Sequence, residues 1–296
     1  MNARLLFVHA LSPLHAGTGQ GVGVVDLPIA REKATDLPFL PGSSVKGTLR
    51  DACQDRKKTA VFGPDTSNAS DHAGSAQFSD QRLLLLPIRS LSGTFAWVTS
   101  PYILRRIVRD ANDAGATGVP HPVPVPDARD KCLVPQNDCD ICLKDAKDQV
   151  RVYLEDLDLQ ATTGSEVTQW ADWLKQRIFA DSPDWQRMLS GRFCIVHDDV
   201  MSFLLETATE ITARVKLKPD TKTVDTDVGG LWYEESLPTE TVLYGLVVAT
   251  PIARTKLTAS ELFQVVEALT QQTLQFGGKA TVGRGLCRLQ MVKEGG

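Results

Sequence analysis

Residues 276–285 read Phe-Gly-Gly-Lys-Ala-Thr-Val-Gly-Arg-Gly, with Lys279 and Arg284 set among Gly277, Gly278, Gly283 and Gly285. Glycine lacks the Cβ that holds a ligand away from the main chain, and backbone N–H groups beside two cations suit phosphate oxygens. The loop is not a dinucleotide fingerprint, because no G-x-G-x-x-G lies between a strand and a helix start. Nor is it a Walker loop, because no Lys-Ser/Thr pair follows the glycines. A second phosphate-suited group lies near the other end of the chain. Pro41-Gly42-Ser43-Ser44 reads as a helix start with a Ser N-cap, whose free N–H groups and dipole attract an anion. Lys46 and Arg50, four residues apart, project from one face beside it. Cations near a helix N-terminus oppose its dipole and so imply another reason for their presence. An ordinary glycine turn and a solvated helix face are the plainer alternatives.

The cysteines form a third group. Cys132, Cys139 and Cys142 follow a C-x6-C-x2-C spacing in a Pro- and Asp-rich stretch, with His121 upstream. A C-x-x-C pair with a third Cys and a nearby His matches a closed tetrahedral zinc site. His72 competes with His121 for the fourth position, and three metal-free loop thiols are the alternative. Cys53, Cys194 and Cys287 sit in apolar-patterned segments and read as small core residues.

Net charge is −4, which excludes a generally basic nucleic-acid coat, so any polyanion site is a local patch. Residues 31–58 carry seven Lys/Arg against four acids, and the final twenty residues carry four bases against one acid. Residues 197–240 between them hold ten acids and four bases. A fold that joins the two ends therefore makes one positive surface on an anionic chain. No apolar run is long enough for a membrane span. The first residues lack a signal peptide's apolar core, and a cytoplasmic protein is expected.

These groups need elements to hold them. Residues 3–10 read as a buried first strand, and a helix follows from Ser43 with Val45, Leu49 and Ala52 at helical spacing. Residues 57–80 are polar and read as a mobile loop. Strands at 82–90 and 93–99 flank a Ser-Gly turn, and an amphipathic helix follows at 102–111. Residues 112–145, with the cysteines, read as an insertion. A strand at 150–160 and helices at 166–180 and 198–207 come next. The arms of a hairpin are expected at 209–217 and 222–228. A strand within 237–250, a helix at 259–274 and a last strand at 286–293 complete the chain. The pattern predicts α+β, with a ferredoxin-like β-α-β-β-α-β unit interrupted by large insertions.

Three blocks in this order resemble one family. They are Pro-Gly-Ser-Ser-x-Lys-Gly-x-x-Arg at 41–50, Gly-Leu-Trp-Tyr-Glu-Glu-Ser-Leu-Pro at 230–238 and Gly-Gly-Lys-Ala-Thr-x-Gly-Arg-Gly at 277–285. The family is the RAMP superfamily of CRISPR proteins, specifically the fourth subunit of the type III-B Cmr effector complex. Residues 57–80 and 112–145 carry no family motif. The resemblance implies a single RAMP domain over 1–296, with a ferredoxin-like (RRM-like) palm and a β-hairpin thumb at 209–228. Copies of it stack along a CRISPR RNA guide beside other Cmr subunits, and base pairing with the guide selects the target. The thumb, with Arg214, Lys216, Lys218 and Lys222, wedges between guide and target at regular intervals.

The same resemblance implies cleavage of the bound single-stranded target RNA with a divalent cation, Mg or Mn. The ribose 2′-OH is then the nucleophile, and a cyclic phosphate and a 5′-hydroxyl are the products. Asp26 matches the family's catalytic aspartate, placed to hold the metal or position the 2′-OH. His15 is a general acid or base, or a phosphate contact, against a plain loop histidine. Glu234 and Glu235 would assist Asp26. The rival reading is a non-catalytic, structural RNA-binding backbone subunit.

Overall fold

The computed structural model describes residues 2–17, 25–64, 73–136, 138–218, 220–221, 223–224, 230–250 and 257–292. The apolar run at the start has no in/out alternation, and β1 (Ala3–Ala10) is accordingly buried at every position except Arg4. After it come β2 (Phe39–Leu40), α1 (Gly42–Ala52), α2 (Lys58–Phe62), β3 (Ala76–Phe78), β4 (Gln81–Arg89), β5 (Phe95–Thr99) and α3 (Pro101–Asp113). The middle of the chain forms β6 (Lys131–Val134), β7 (Leu143–Lys144), β8 (Val150–Leu154), β9 (Leu157–Thr163), α4 (Ser165–Ile178), α5 (Pro183–Arg192), β10 (Phe193–Val196) and α6 (Asp198–Thr207). The last part forms β11 (Glu210–Val215), β12 (Leu231–Ser236), β13 (Val242–Ala249), α7 (Ala259–Thr270), β14 (Leu274–Gln275) and β15 (Leu286–Met291).

Within a 13-stranded sheet, four strands lie in the order β15-β1-β13-β4. α1 links β1 to β4 and α7 links β13 to β15, so the unit's last strand lies beside its first. That is the ferredoxin-like arrangement, and it makes a palm from the two ends of the chain. β1 pairs antiparallel with both β13 and β15, with Val8 opposite Leu243 on one side and Leu289 on the other. The sheet then continues from β4 through β5-β10-β6-β9-β8-β7. α1 packs through Val45 and Leu49, and α3 through Ile103, Leu104, Ile107 and Ala111, each set at helical spacing. α7 begins with a reciprocal capping box between Thr258 and Glu261. No described helix is long and apolar enough to cross a membrane.

Four expectations need correction. Residues 57–80 hold α2, with Val61 and Phe62 buried, and β3; residues 65–72, including His72, lie outside the described residues. The stretch 112–145 is not merely an insertion: β6 lies between β10 and β9, and its Cys132 and Val134 are core residues. The hairpin pairs β11 with β12, with Val215 opposite Leu231, rather than with 222–228. Of that stretch, Thr223 and Val224 are described, with Val224 bridged to Leu217 and the Thr223 carbonyl accepting the Lys218 N–H at 2.8 Å, and Lys222 lies outside. Finally, the single strand expected at 150–160 is two, β8 and β9, paired antiparallel with Leu154 opposite Leu157, and β10 was not anticipated. β10 is a four-residue, fully buried strand, too short for a period to show.

Candidate nucleic-acid interface

β12 is the spine on which the site is built. Leu231 and Tyr233 are exposed, whereas Glu234, Glu235 and Ser236 are buried. The segment around Asp26 lies along this strand. The Tyr233 N–H donates to Asp26 Oδ2 at 2.8 Å, and the Leu27 N–H donates to the Tyr233 carbonyl at 3.1 Å. Two residues on, the Glu235 N–H donates to the Leu27 carbonyl at 3.0 Å. The Glu235 carboxylate then takes the Ile29 N–H at 3.0 Å and Arg31 Nη2 at 2.7 Å. From the other side, Arg106 of α3 grips Glu32 with two bonds of 2.6 and 2.8 Å. Burial opposes the charge on Glu32, but the Arg106 guanidinium outweighs it and lowers the pKa. Asp26 is thus an exposed carboxylate at the head of a segment fixed through Leu27, Ile29, Arg31 and Glu32.

His15 joins the same strand to the glycine loop. It is buried, and its Nδ1 lies 2.7 Å from the Glu235 carbonyl oxygen. The His15 carbonyl accepts the Gly278 N–H at 3.0 Å, and the Pro13 carbonyl accepts the Gly285 N–H at 2.9 Å. Gly277 has φ +71°, and a Cβ there would stand 2.2 Å from the His15 carbonyl oxygen. A Cβ on Gly285 would stand 1.9 Å from the Phe276 carbonyl oxygen. These two glycines are therefore needed for the chain to join its own ends, not for a ligand to approach. Gly283 differs, since a Cβ there would meet nothing within 4 Å.

The loop's cations dock on the β11–β12 hairpin. Lys279 Nζ lies 2.8 Å from Glu234 Oε1, and Arg214 Nε donates to Glu234 Oε2 at 3.2 Å. The Trp232 indole N–H donates to Glu234 Oε1 at 2.7 Å. Burial opposes ionisation of Glu234, but hydrogen bonds from Lys279 and Trp232, and the nearby positive charges, hold its pKa at about 2. Arg284 reaches Glu210 at 3.1 Å and Thr212 at 3.4 Å. On the same hairpin, the Lys216 N–H donates to the Gly230 carbonyl at 2.8 Å. The cations expected to await phosphate already share carboxylates, which corrects the picture of an open cradle.

The start of α1 differs from expectation in the same sense. Its N-cap is Pro41 rather than a serine, and the Gly42 N–H is taken by Asp80 Oδ1 at 2.8 Å. A carboxylate of the protein itself therefore sits at the helix end where Ser43 and Ser44 were expected to hold a phosphate. Arg50 Nη1 donates to the Gly63 and Pro64 carbonyls, each at 2.7 Å, so it staples the end of α2. Lys46 is half-buried and has no ion pair among the described residues. Thr48 Oγ1 donates to the Gln275 carbonyl at 3.4 Å, which ties α1 to the strand before the glycine loop.

Cys132, Cys139 and Cys142 do not meet His121. That histidine opens on a surface cavity against α4, lined by Gln169, Asp172, Trp173 and Gln176 and by no cysteine. Among the described residues, no three His, Cys, Asp or Glu side chains stand as an assembled metal centre. Local sequence gave no signal for the partners that organise the site. Arg31, Asp80 and Glu210 are ordinary surface-type residues whose roles arise from contacts between distant segments.

The RAMP superfamily model matches residues 7–288. This chain belongs to the RAMP superfamily. It is 33% identical over 300 residues to the CRISPR system Cmr endoribonuclease Cmr4 of Pyrococcus furiosus, covering 98% of this chain and 96% of that protein. It is 22% identical over 316 residues to the CRISPR system CMR subunit Cmr4 of Saccharolobus solfataricus, covering 97% and 96%. The crystal structure of oligomeric Cmr4 from Pyrococcus furiosus matches with a TM-score of 0.73 at 26% identity, over 99% of this chain and 98% of that one. A chain of the type III-B Cmr-beta complex bound to cognate target RNA shares the fold, with a TM-score of 0.71 at 19% identity over 98% and 96%. In this RAMP protein two of the three sequence blocks touch directly, through Lys279 and Glu234, and α1 joins them through Thr48.

Proposed function

We propose that this RAMP protein is a backbone subunit of a type III-B Cmr effector that lies along a CRISPR RNA guide and cleaves the base-paired, single-stranded target RNA. The observation that carries this reading is Asp26, an exposed carboxylate pinned by one oxygen to the base of the thumb hairpin. Its other oxygen is left for a ribose 2′-OH or for a divalent cation. Mg²⁺ is commonly held by one or two carboxylates together with substrate phosphates, which a single Asp fits. When bound, Mg or Mn neutralises charge developing on the scissile phosphate. Asp26 orients the 2′-OH, whose oxygen gives up its proton to water and forms a bond to the adjacent phosphorus as the bond to the 5′-oxygen breaks. The 5′-oxygen leaves with a proton as the 5′-hydroxyl, and the phosphate closes to the cyclic form.

Glu234, Glu235 and His15 act here as positioning groups, since each is engaged with backbone or cations. Lys279, Arg284, Arg214, Lys216 and Lys46 contribute positive charge to the guide's phosphates. Gly277, Gly278 and Gly283 shape the loop that presents Lys279 and Arg284, and Ser43 and Ser44 line its α1 side. Ile211, Val215, Leu217, Leu231 and Tyr233 leave an exposed apolar face on the hairpin, which suits stacking between guide and target bases. Further copies of the chain and other Cmr subunits complete the cytoplasmic assembly.

A guide-loaded complex with Asp26→Ala tests this. Cleavage of a matched RNA falls by at least about 100-fold, and target binding stays as in the wild type. Wild-type products are spaced at a fixed interval and disappear with EDTA. Unchanged cleavage by Asp26→Ala would sink the assignment. It would favour the rival structural role, for which the wholly engaged Glu234 and Glu235 speak.

A further inference from the structure

Lys279 and Arg284 share carboxylates of the β11–β12 hairpin, whereas α3 carries positive charge that the protein leaves open. We infer that Lys33, Arg105 and Arg109 form a phosphate track that holds the target strand beside Asp26. The inference rests on the reading of Asp26 as the residue that faces target RNA, and adds the surface that binds that strand.

α3 buries Ile103, Leu104, Ile107 and Ala111 against the palm and leaves Tyr102, Arg105 and Arg109 exposed. These three follow one another at i, i+3 and i+7, so they make a single outward stripe. Arg105 and Arg109 stand four apart and repel, and the first turn of the helix holds no acid to offset them. Arg105 has no hydrogen bond or ion pair among the described residues. Arg109 is 59% exposed, and its Nε and Nη2 meet one oxygen of Asp110 at 2.9 Å. The other Asp110 oxygen takes Arg82 at 2.6 Å and the Tyr244 hydroxyl at 3.3 Å. Arg109 Nη1 has no partner among the described residues.

A turn at 32–37 carries the stripe to the Asp26 segment. The Glu32 N–H donates to the Leu37 carbonyl and the Asp36 N–H returns to the Glu32 carbonyl, each at 2.9 Å. Lys33 and Ala34 stand exposed in that turn, and Lys33 also has no partner among the described residues. Arg106, next to Arg105, holds Glu32 and lies 5.5 Å from the Tyr102 ring centroid, so turn and helix form one surface. The carboxylates nearby are occupied or peripheral. Glu32 and Asp110 serve the arginines, Asp36 pairs with Arg31, and Asp198 takes the Tyr102 N–H at the start of α3. Asp113 lies at the far end of the helix.

β12 decides which strand the track serves. Successive residues of a strand point to opposite faces. Glu234 meets Lys279 on the glycine-loop side, and Glu235 meets Ile29 and Arg31 on the side of the 32–37 turn. A guide held at the glycine loop and a target paired with it at Asp26 therefore lie on opposite sides of β12, and the target is the strand that reaches α3. Cations along a helix and a turn grip phosphates without reading bases, which suits a strand chosen by pairing with a guide.

Guide-loaded complex with Arg105→Ala and Arg109→Ala together, and with Lys33→Ala, is titrated with matched single-stranded RNA over a range of salt. Target binding of the double variant is expected to weaken at least about tenfold, and its salt slope to fall by about one per cation removed in each subunit that touches the target. Guide binding and its salt slope stay as in the wild type, and Arg105→Lys with Arg109→Lys restores target binding. Arg105→Ala alone, which breaks no contact of the protein, repeats the effect at half the size. An unchanged target slope, equal losses for guide and target, or lost association between copies of the chain with target binding intact would each overturn the track. Cleavage by Asp26→Ala is scored in parallel. If it is abolished while the α3 variants bind target normally, the track alone fails. If it is unchanged while they lose target, the track stands and the role of Asp26 fails.

Discussion

His15 Nδ1 lies 2.7 Å from the carbonyl oxygen of Glu235, across 220 residues of chain. A carbonyl oxygen only accepts, so Nδ1 carries a proton and donates it to Glu235. The His15 carbonyl takes the Gly278 N–H, so one buried residue joins the first loop, β12 and the glycine loop.

Breaking that joint is expected to act on stability and RNA binding together. His15→Ala leaves the Glu235 carbonyl unpaired, which costs about 1–3 kcal/mol. Gly17→Ala has the same direction, because its Cβ would stand 2.6 Å from His15 Nε2. Thermal denaturation and guide-RNA binding of both variants provide the check. If either variant keeps wild-type values in both, His15 is not the joint.

Glu234 makes the contact between the glycine loop and β12 dependent on pH. Its pKa is about 2 in the folded chain, below the ordinary 4.5. A lowered carboxylate pKa stabilises above the unfolded value and loses that contribution as pH falls toward the folded one. The contribution, about 3 kcal/mol, is complete above about pH 5 and lost between there and pH 2. Glu234→Gln removes it, so the stability difference between variant and wild type shrinks as pH falls through that window. A difference that grows on acidification contradicts the assignment.

The cations separate into two classes. Lys279→Ala and Arg284→Ala each weaken guide binding and lower the salt slope by about one. Arg50→Ala, which frees the Gly63 and Pro64 carbonyls, costs about 1–2 kcal/mol of stability and leaves the slope unchanged. Salt titrations of RNA binding, paired with denaturation curves, distinguish them.

Glu235 holds the Asp26 segment through Ile29 and Arg31. Glu235→Ala takes from Arg31, 17% exposed, the nearer of two carboxylates and leaves it Asp36 at 3.3 Å, which costs about 1–2 kcal/mol. In a guide-loaded complex, cleavage is expected to fall at least about tenfold while target affinity changes little. Equal losses in both would mean that the pair supports the fold alone.

Much of the palm was legible because its signals are local. The unbroken apolar run of β1, the helical spacing of Val45 and Leu49, and the Thr258 to Glu261 cap each lie within one element. The glycine loop and the acidic pair were visible as residue types. What each one touches was not. Lys279 finds Glu234, and Arg284 finds Glu210 across 74 residues, only because β15 returns beside β1. Arg50 on a helix face looked like a phosphate ligand until the end of α2 packed under it. Cys194 looked like any small residue in an apolar run until β10 lay beside β6 and brought it next to Cys132. The amino-acid order by itself determined the elements, the local charge and the places where only glycine fits a turn. The tertiary structure alone decided which charges are neutralised and which carboxylate stays exposed, because strand register pairs residues without regard to their separation along the chain.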